Sequence, residues 1–310
     1  MKKMRIPLLV AWGVALVGII LGSFLDFQLS SAIASPTNAF ALTVSAICPT
    51  LGFAGVAVMG GGFIALIVKG KYPIWLKIIF GVLAAACYGV SIFYPAGEYF
   101  GVNGFYHEGW KIYGYLIVIV PEAAAMVGGY FLFKDCQNKN MWIVFCVIVG
   151  LLLLGLLLVI PQIKDNMRRP RYRIISKYPE IPFRQWWQSS KGEYQKWMAD
   201  YGIESSDNFK SYPSGHTAET SILLVVATFF PLAHKKMAKY QLPVFCGACG
   251  LVLLVALARI MAAAHFLSDV SWGAFIIIAL TFIANEVVMR IKALQLVENE
   301  EPAQPEEKAE

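Results

Sequence analysis

Charged residues are scarce in this chain. Asp, Glu, Lys and Arg together make up 15% of its 310 residues, whereas 58% are hydrophobic. Soluble domains carry about 25% charged residues, so this imbalance excludes a soluble globular protein. We interpret the chain as a polytopic membrane protein.

The cysteines of this chain show little sign of metal binding or disulfide formation. The six cysteines lie mostly within or beside apolar runs, and Cys246 and Cys249 form a C-x-x-C motif. This pair has neither a second pair nor a neighbouring histidine to complete a zinc site, and no disulfide framework is indicated. We predict that these cysteines are small apolar residues within helices. No internal repeat and no separate soluble domain is apparent in the sequence.

The chain is instead rich in long apolar runs. A helix needs about 20 apolar residues to cross about 30 Å of hydrocarbon, and eight runs approach this length. The predicted fold class is therefore all-α, a polytopic transmembrane helical bundle of about eight spans. The runs cover residues 7–24, 50–68, 74–94, 112–133, 141–160, 215–232, 242–261 and 266–289.

Basic residues between these runs predict the orientation of the chain. They are concentrated at alternate connections, which the positive-inside rule places in the cytoplasm. Both termini are then cytoplasmic, as an even number of spans requires. The residues are Lys2, Lys3, Arg5, Lys69, Lys71, Lys134, Lys139, Lys235, Lys236, Lys239, Arg290 and Lys292.

The first run has some features of a signal peptide, since basic residues precede it and Ala32-Ile33-Ala34 is typical of a cleavage site. However, about ten residues, including Asp26, separate the apolar core from that site, and the run is long for a signal core. We therefore interpret it as a retained first span.

The outer connections differ in character. Residues 95–111 are rich in aromatic side chains, which favours an interfacial belt over a role in substrate binding. Residues 161–213 form the longest connection, and their density of basic residues indicates an anionic partner. A solvated basic patch or attraction to anionic lipid headgroups would also explain it. The aromatic residues of this connection suit a segment at the membrane interface or a lid; they are Trp186, Trp187, Tyr194, Trp197 and Tyr201.

Three carboxylates fall within apolar runs. Glu122 lies in the fourth run, where a charge costs about 2.5–3.5 kcal/mol, so we expect it to face a partner or a water-filled cavity. Glu219 and Glu286 raise the same expectation nearer the ends of their runs. The tail, residues 294–310, is acidic and is predicted to be disordered.

The motif Pro213-Ser214-Gly215-His216 has the features of an anion site at a helix N-terminus. Backbone N–H groups of a first helical turn have no intrahelical partner and carry the positive end of the helix dipole. Ser214 can cap the helix, Gly215 lets a ligand approach the backbone, and His216 adds a titratable group. A plain helix start explains the same residues, so the motif alone does not decide.

The last outer connection carries a second polar cluster. Arg259 is close to the end of the seventh run, and the short link Met261–Ala264 leads to His265, so Arg259 and His265 should be neighbours. His265 and Asp269 share one helix face, which lets the carboxylate accept from one ring nitrogen and leave the other facing outward.

The predicted topology brings three polar segments to the outer face. Their spacing and order resemble the three signature motifs of the type-2 phosphatidic acid phosphatase (lipid phosphate phosphatase) superfamily. The resemblance covers about residues 141–290. It departs from the motifs at Tyr172, where a proline is usual, and at Ala258, where a serine is usual. The residues that carry it are Lys164, Arg171, Pro213, Ser214, Gly215, His216, Arg259, His265 and Asp269.

The resemblance implies a phosphatase that needs no metal or other cofactor and works through a phosphohistidine. It implies that His265 attacks phosphorus, that Asp269 orients the ring, and that His216 is the general acid. Five further residues would hold the phosphate oxygens, namely Lys164, Arg171, Ser214, Gly215 and Arg259.

On this basis residues 1–140 form four N-terminal spans, residues 141–293 the phosphatase core, and residues 294–310 the tail. The expected partner is a lipid mono- or diphosphate at the extracytoplasmic face of the cell membrane, and not nucleic acid. Isoprenoid diphosphates, phosphatidate, phosphatidylglycerophosphate and phosphorylated glycolipids all fit. Two alternatives stay open: a phosphotransferase of the same superfamily, and a non-catalytic transporter or binding protein for anionic lipid.

Overall fold

The computed structural model describes residues 4–101, 111–136, 140–229 and 235–291. Residues 102–110 of the predicted aromatic connection and the acidic tail lie outside the described residues, as do Lys2, Lys3, Lys139 and Lys292. The predictions made for them stay predictions. Residues 95–101 of that connection belong to a helix and not to a loop. Within the described ranges the chain is helical and contains no β-strand, which confirms the all-α fold class.

Long helices dominate because backbone polar groups inside a bilayer can be satisfied only within the segment that carries them. In the described part of the chain, seven stretches of helix are long and apolar enough to cross a membrane. The α-helices are α1 (Arg5–Ile33), α2 (Ala39–Lys69), α3 (Ile74–Gly101), α4 (Lys111–Phe133), α5 (Met141–Leu153), α6 (Ile160–Met167), α7 (Tyr172–Lys177), α8 (Tyr194–Asp200), α9 (Gly215–Phe229), α10 (Gln241–Met261) and α11 (Leu267–Arg290).

Helix α9 lies at the centre of the bundle and contacts α2, α10 and α11. It corresponds to the predicted sixth span, but its 15 described residues are fewer than the about 20 of a full span. Nearly all of them are buried. The hydroxyls of Thr220, Ser221 and Thr228 donate to backbone carbonyls one turn earlier in the same helix, so the polar side chains are satisfied inside the bundle.

The other long helices surround α9 in two groups. Helices α3 and α4 pack on α2, while α1 packs mainly on α11. The outward face of α1 exposes large apolar side chains such as Ile6, Val10 and Phe24, as expected where lipid replaces water. At the end of this pair, Arg5 Nε lies 3.2 Å from Glu286 Oε1, which provides the partner expected for Glu286.

The predicted fifth run ends two turns too early. A π-helical segment, Leu154–Val159, joins α5 to α6, and the helix continues to Met167. Lys164 therefore lies on the last helical turn and not in a loop. Hydropathy reports the apolar part of a helix, and this helix extends beyond it until Arg168 takes a left-handed conformation with φ 47°.

The long connection between α6 and α9 is folded, and we call residues 168–214 the cap. It has an apolar cluster of its own, made of Ile174, Ile181, Ile203 and Phe209. Trp186 fastens the cap to the bundle, since its Nε1 donates to Ser23 Oγ of α1 at 3.0 Å. Its ring also packs against Tyr212 and against Trp272 of α11.

Candidate active site

The N-terminus of α9 points into the region beneath the cap. Thr217 N donates to Ser214 Oγ at 3.4 Å, so Ser214 caps this helix as predicted. Ser214 N donates to the backbone carbonyl of Asp269 at 2.9 Å, which ties the turn to α11. A Cβ atom at Gly273 would lie 2.3 Å from the Ser214 carbonyl oxygen, so glycine is needed for this close approach.

Lys164 reaches the same helix start from α6. A Cβ atom at Gly215 would lie 3.3 Å from Lys164 Nζ, so the ammonium group is close to the first N–H groups of α9. The same position lies 3.3 Å from Glu219 Oε1. Glu219, for which the sequence predicts a polar environment, therefore faces the turn that also receives Lys164.

Arg171 is held by the cap. Its Nε donates to the Asp207 carbonyl and its Nη2 to Asp207 Oδ2, both at 2.8 Å, while Nη1 lies 3.4 Å from the Ala264 carbonyl. Burial raises the pKa of Asp207, but Arg171, Lys164 and Arg173 outweigh it and lower this pKa below its usual value. The carboxylate therefore stays charged and keeps Arg171 in place.

A tight turn sets Arg259 beside His265. The backbone carbonyl of Arg259 accepts from the N–H groups of Ala264 and His265, each at 3.2 Å. Ala263 within this turn has φ 55°, a left-handed conformation that is uncommon for a residue with a side chain. Arg259 and His265 are both buried, and their predicted proximity follows from this turn.

The His265 ring is oriented by a backbone carbonyl. Its Nδ1 lies 2.6 Å from the Ser211 carbonyl oxygen, which can only accept, so Nδ1 carries the hydrogen and Nε2 has the free lone pair. Burial lowers the pKa of His265 to about 3; Arg171 and Arg259 add to this effect and Asp269 opposes it. The neutral imidazole is therefore the form present near neutral pH.

Asp269 does not bond directly to the imidazole, contrary to the expectation from the helix spacing. Its Oδ2 lies 3.8 Å from His265 Nδ1, beyond hydrogen-bond distance. This carboxylate accepts from Ser211 Oγ at 2.5 Å and from Phe266 N at 2.9 Å. The other oxygen, Oδ1, accepts from Arg169 Nη1 at 2.5 Å. Asp269 therefore acts on His265 through Ser211 and through its charge.

His216 occupies the second position of α9 and is buried. Arg259, His265, Lys164 and Arg171 are close enough to interact with it electrostatically.

Five separate segments of the chain thus meet beneath the cap: the end of α6, the start of the cap, the start of α9, the end of α10 and the start of α11. This arrangement combines three cations, a helix N-terminus and two imidazoles, which together suit a phosphate group.

Comparison with known protein families agrees with this geometry. The profile of the PAP2 superfamily matches residues 139–292. Over these residues the chain belongs to the PAP2 superfamily. Helices α5–α11 and the cap lie within the PAP2 region, while α1–α4 precede it. Comparisons with curated proteins and with solved structures found no match.

The two residues that depart from the PAP2 motifs both pack against other helices. Tyr172, where a proline is usual, packs its ring edgewise against Phe27 of α1 and Phe266. Ala258, where a serine is usual, is fully buried in a cluster of small apolar residues with Ala41 of α2. A hydroxyl at this position would enter an apolar contact between α10 and α2.

Sequence reasoning missed four polar residues around the site. Asp207 holds Arg171, Ser211 joins His265 to Asp269, and Arg169 bridges Asp269 to Asp26 of α1. The available signal was an ionisable residue, Asp26, just after the first apolar run, since a charge at the end of a span calls for a partner. Among the described residues no group of three or more His, Cys, Asp and Glu side chains is arranged to hold a metal ion.

Proposed function

We propose that the protein is an integral membrane phosphatase that removes a terminal phosphate from a lipid mono- or diphosphate. The observation that carries this proposal is the state of His265. Because the Ser211 carbonyl oxygen accepts a hydrogen bond from Nδ1 at 2.6 Å, the Nε2 lone pair is available as a nucleophile. It lies in a site that also holds Lys164, Arg171 and Arg259, where a phosphate would be bound.

The reaction has two steps. In the first, His216 begins as an imidazolium, the form that the bound phosphate anion favours. His265 Nε2 forms a bond to phosphorus, the bond from phosphorus to the leaving oxygen breaks, and His216 gives its proton to that oxygen. In the second, His216 takes a proton from water, the water oxygen bonds to phosphorus, and the P–N bond breaks. Inorganic phosphate leaves and both histidines return to their starting states.

The positive groups stabilise the charge that develops on the phosphoryl oxygens. Lys164, Arg171 and Arg259 come from three different elements, and the N–H groups at the start of α9 add a fixed dipole. Ser214 Oγ accepts from Thr217 Oγ1 at 3.0 Å, which leaves its own hydroxyl hydrogen for a phosphate oxygen. These groups supply the positive field without a metal ion.

Charge asymmetry supports an extracytoplasmic site in the cell membrane. The site lies at the ends of α6, α10 and the starts of α9 and α11, whereas the basic connections predicted to be cytoplasmic lie at the opposite helix ends. A lipid phosphate would place its headgroup beneath the cap and its tail in the bilayer. The geometry supports a substrate that carries a phosphate group.

The decisive experiment measures phosphate release from a panel of lipid mono- and diphosphates by the purified protein in EDTA. We expect hydrolysis of at least one lipid by the wild type and none by His265→Ala. Absence of hydrolysis of any lipid would overturn the proposal, and activity lost in EDTA would contradict the metal-free chemistry. Transfer of phosphate to an added alcohol would identify a phosphotransferase. Lipid flux that survives His265→Ala would favour a transporter.

A further inference from the structure

Helix α1 lies outside the PAP2 region, yet it carries a carboxylate into the neighbourhood of the site. Asp26 is 1% exposed in a helix that is mostly apolar. Its Oδ1 accepts from Ser268 N at 2.8 Å, and its Oδ2 accepts from Ser268 Oγ and from Arg169 Nη2, the latter at 2.8 Å. Ser268 lies within the His265–Asp269 segment, and Arg169 also donates to Asp269.

Arg169 connects the two carboxylates. It is fully buried, and its Nη1 donates to Asp269 Oδ1 at 2.5 Å and to Ser268 Oγ at 2.9 Å. Its Nε donates to the Arg184 carbonyl at 2.8 Å, and its guanidinium carbon lies 4.3 Å from the centre of the Phe266 ring. One guanidinium is therefore shared by two carboxyl groups, those of Asp26 and Asp269.

The packing of α1 fixes this arrangement. A Cβ atom at Gly22 would lie 2.5 Å from Ser268 N, so the backbone of α1 touches the first turn of α11. Since His265 immediately precedes that turn, a displacement of α1 would be transmitted to the imidazole through Ser268 and Phe266. The hydrogen bonds of Asp26 and Arg169 and the close contact of Gly22 therefore all fall at the start of α11, next to His265.

We propose that Asp26 is a positioning residue for His265 and Asp269, acting through Arg169 and Ser268. Helix α1 is therefore part of the catalytic unit although it precedes the PAP2 region. Asp26 draws part of the Arg169 charge to itself, so that Asp269 keeps more negative charge to stabilise the imidazolium side of the reaction. This inference rests on the proposed function for its kinetic consequences, but the geometry of His265 tests it without any substrate.

The kinetic test compares Asp26→Asn with wild type on a hydrolysed lipid phosphate, with rates normalised to folded protein. The variant keeps the shape of the side chain and leaves Arg169 paired with Asp269. We expect kcat to fall about 10- to 100-fold, by analogy with the loss of residues that orient metal-binding side chains, with KM nearly unchanged. Glu286→Gln is the matched control, because Glu286 also joins α1 to α11 but at their other ends. It should retain wild-type kcat.

The second measurement is NMR of protein labelled with ¹⁵N in its histidine rings, with His265 assigned by comparison with His265→Gln. We expect Asp26→Asn to shift the His265 resonances and Glu286→Gln to leave them in place. If Asp26→Asn does not accumulate as folded protein, Ser268→Ala replaces it in both measurements, because it removes one donor to Asp26 without changing charge.

Unchanged His265 resonances in the Asp26 variant would overturn the inference, and so would a kcat within twofold of wild type. A wild type that hydrolyses no lipid phosphate would instead overturn the proposed function. In that case the resonances alone decide whether Asp26 positions His265.

Discussion

At the scale of single residues, the free lone pair of His265 depends on the Ser211 carbonyl. In a triad where a carboxylate alone fixes the tautomer, replacing it by an amide costs about 10⁴-fold in kcat because the wrong tautomer results. Here Asp269 Oδ2 lies 3.8 Å from Nδ1, and the hydrogen bond at 2.6 Å is made to the backbone carbonyl of a different residue, Ser211. The tautomer should therefore survive the loss of the Asp269 charge.

We predict that Asp269→Asn lowers kcat by about 10²-fold, which corresponds to the loss of one electrostatic contact. The measurement is kcat of the variant beside wild type, with His265→Ala as the reference for complete loss. A loss of 10⁴-fold or more would show that Asp269, and not Ser211, fixes the tautomer.

The phosphate-binding role proposed for Arg259 gives a second prediction. Arg259→Ala should lower kcat by about 10²–10³-fold, because a fixed donor to the transition-state charge is lost. Lys177→Ala is the control, since Lys177 is an exposed cation on the cap away from the site. Equal kcat values for the two variants would rule out a specific role for Arg259.

The Asp207–Arg171 pair predicts a pH dependence of stability. The pKa of Asp207 is lower in the folded protein than in the unfolded chain, where it is about 3.9. Its charge therefore stabilises the fold fully above about pH 4, and this contribution is lost as the pH falls through the folded value. The difference in thermal midpoint between wild type and Asp207→Asn should be constant from about pH 7 to 5 and shrink below about pH 4. A constant difference down to pH 3 would contradict the lowered pKa.

At the scale of elements, the contact between α1 and α11 is set by glycine. A Cβ atom at Gly22 would clash with Ser268 N, whereas one at Gly13 on the same helix has nothing within 4 Å. We predict that Gly22→Ala destabilises the protein by about 1–3 kcal/mol, the usual cost of overpacking, and lowers activity through the displaced Ser268. Gly13→Ala should do neither. Thermal unfolding and phosphate release measure both effects, and equal behaviour of the two variants would contradict the close packing.

The elements were predictable to different degrees. Hydropathy located the long helices, because a bilayer imposes both length and apolar character on a span. It missed the extension of α6 to Met167 and the folded cap, since these parts meet water and follow ordinary helix and packing rules. Motif spacing indicated Lys164, Ser214 and His265, which the fold brings to one region. It could not find the contact between Arg169 and Asp26, which are 143 residues apart and pair only through the fold.

At the scale of the whole molecule, the charge asymmetry predicts which side of the membrane each surface meets. Trp187 on the cap is 52% exposed, and Lys71 between α2 and α3 is also exposed. In intact cells we expect a membrane-impermeant thiol reagent to label Trp187→Cys, and to label Lys71→Cys only after permeabilisation. The opposite pattern would place the site on the cytoplasmic side.

The shared cation of the Asp26–Arg169–Asp269 network also has a consequence for biosynthesis. Asp26 enters the membrane with the first helix, and Arg169 follows 143 residues later, which corresponds to roughly 7–30 s at ordinary translation rates. Asp269 follows after another 100 residues. The first helix therefore carries an unpaired carboxyl group until Arg169 has been made, just over halfway along the 310-residue chain. The network beneath the cap is therefore complete only once Asp269 of α11 has been made. A chain interrupted before α11 has Asp26 and Arg169 but lacks Asp269.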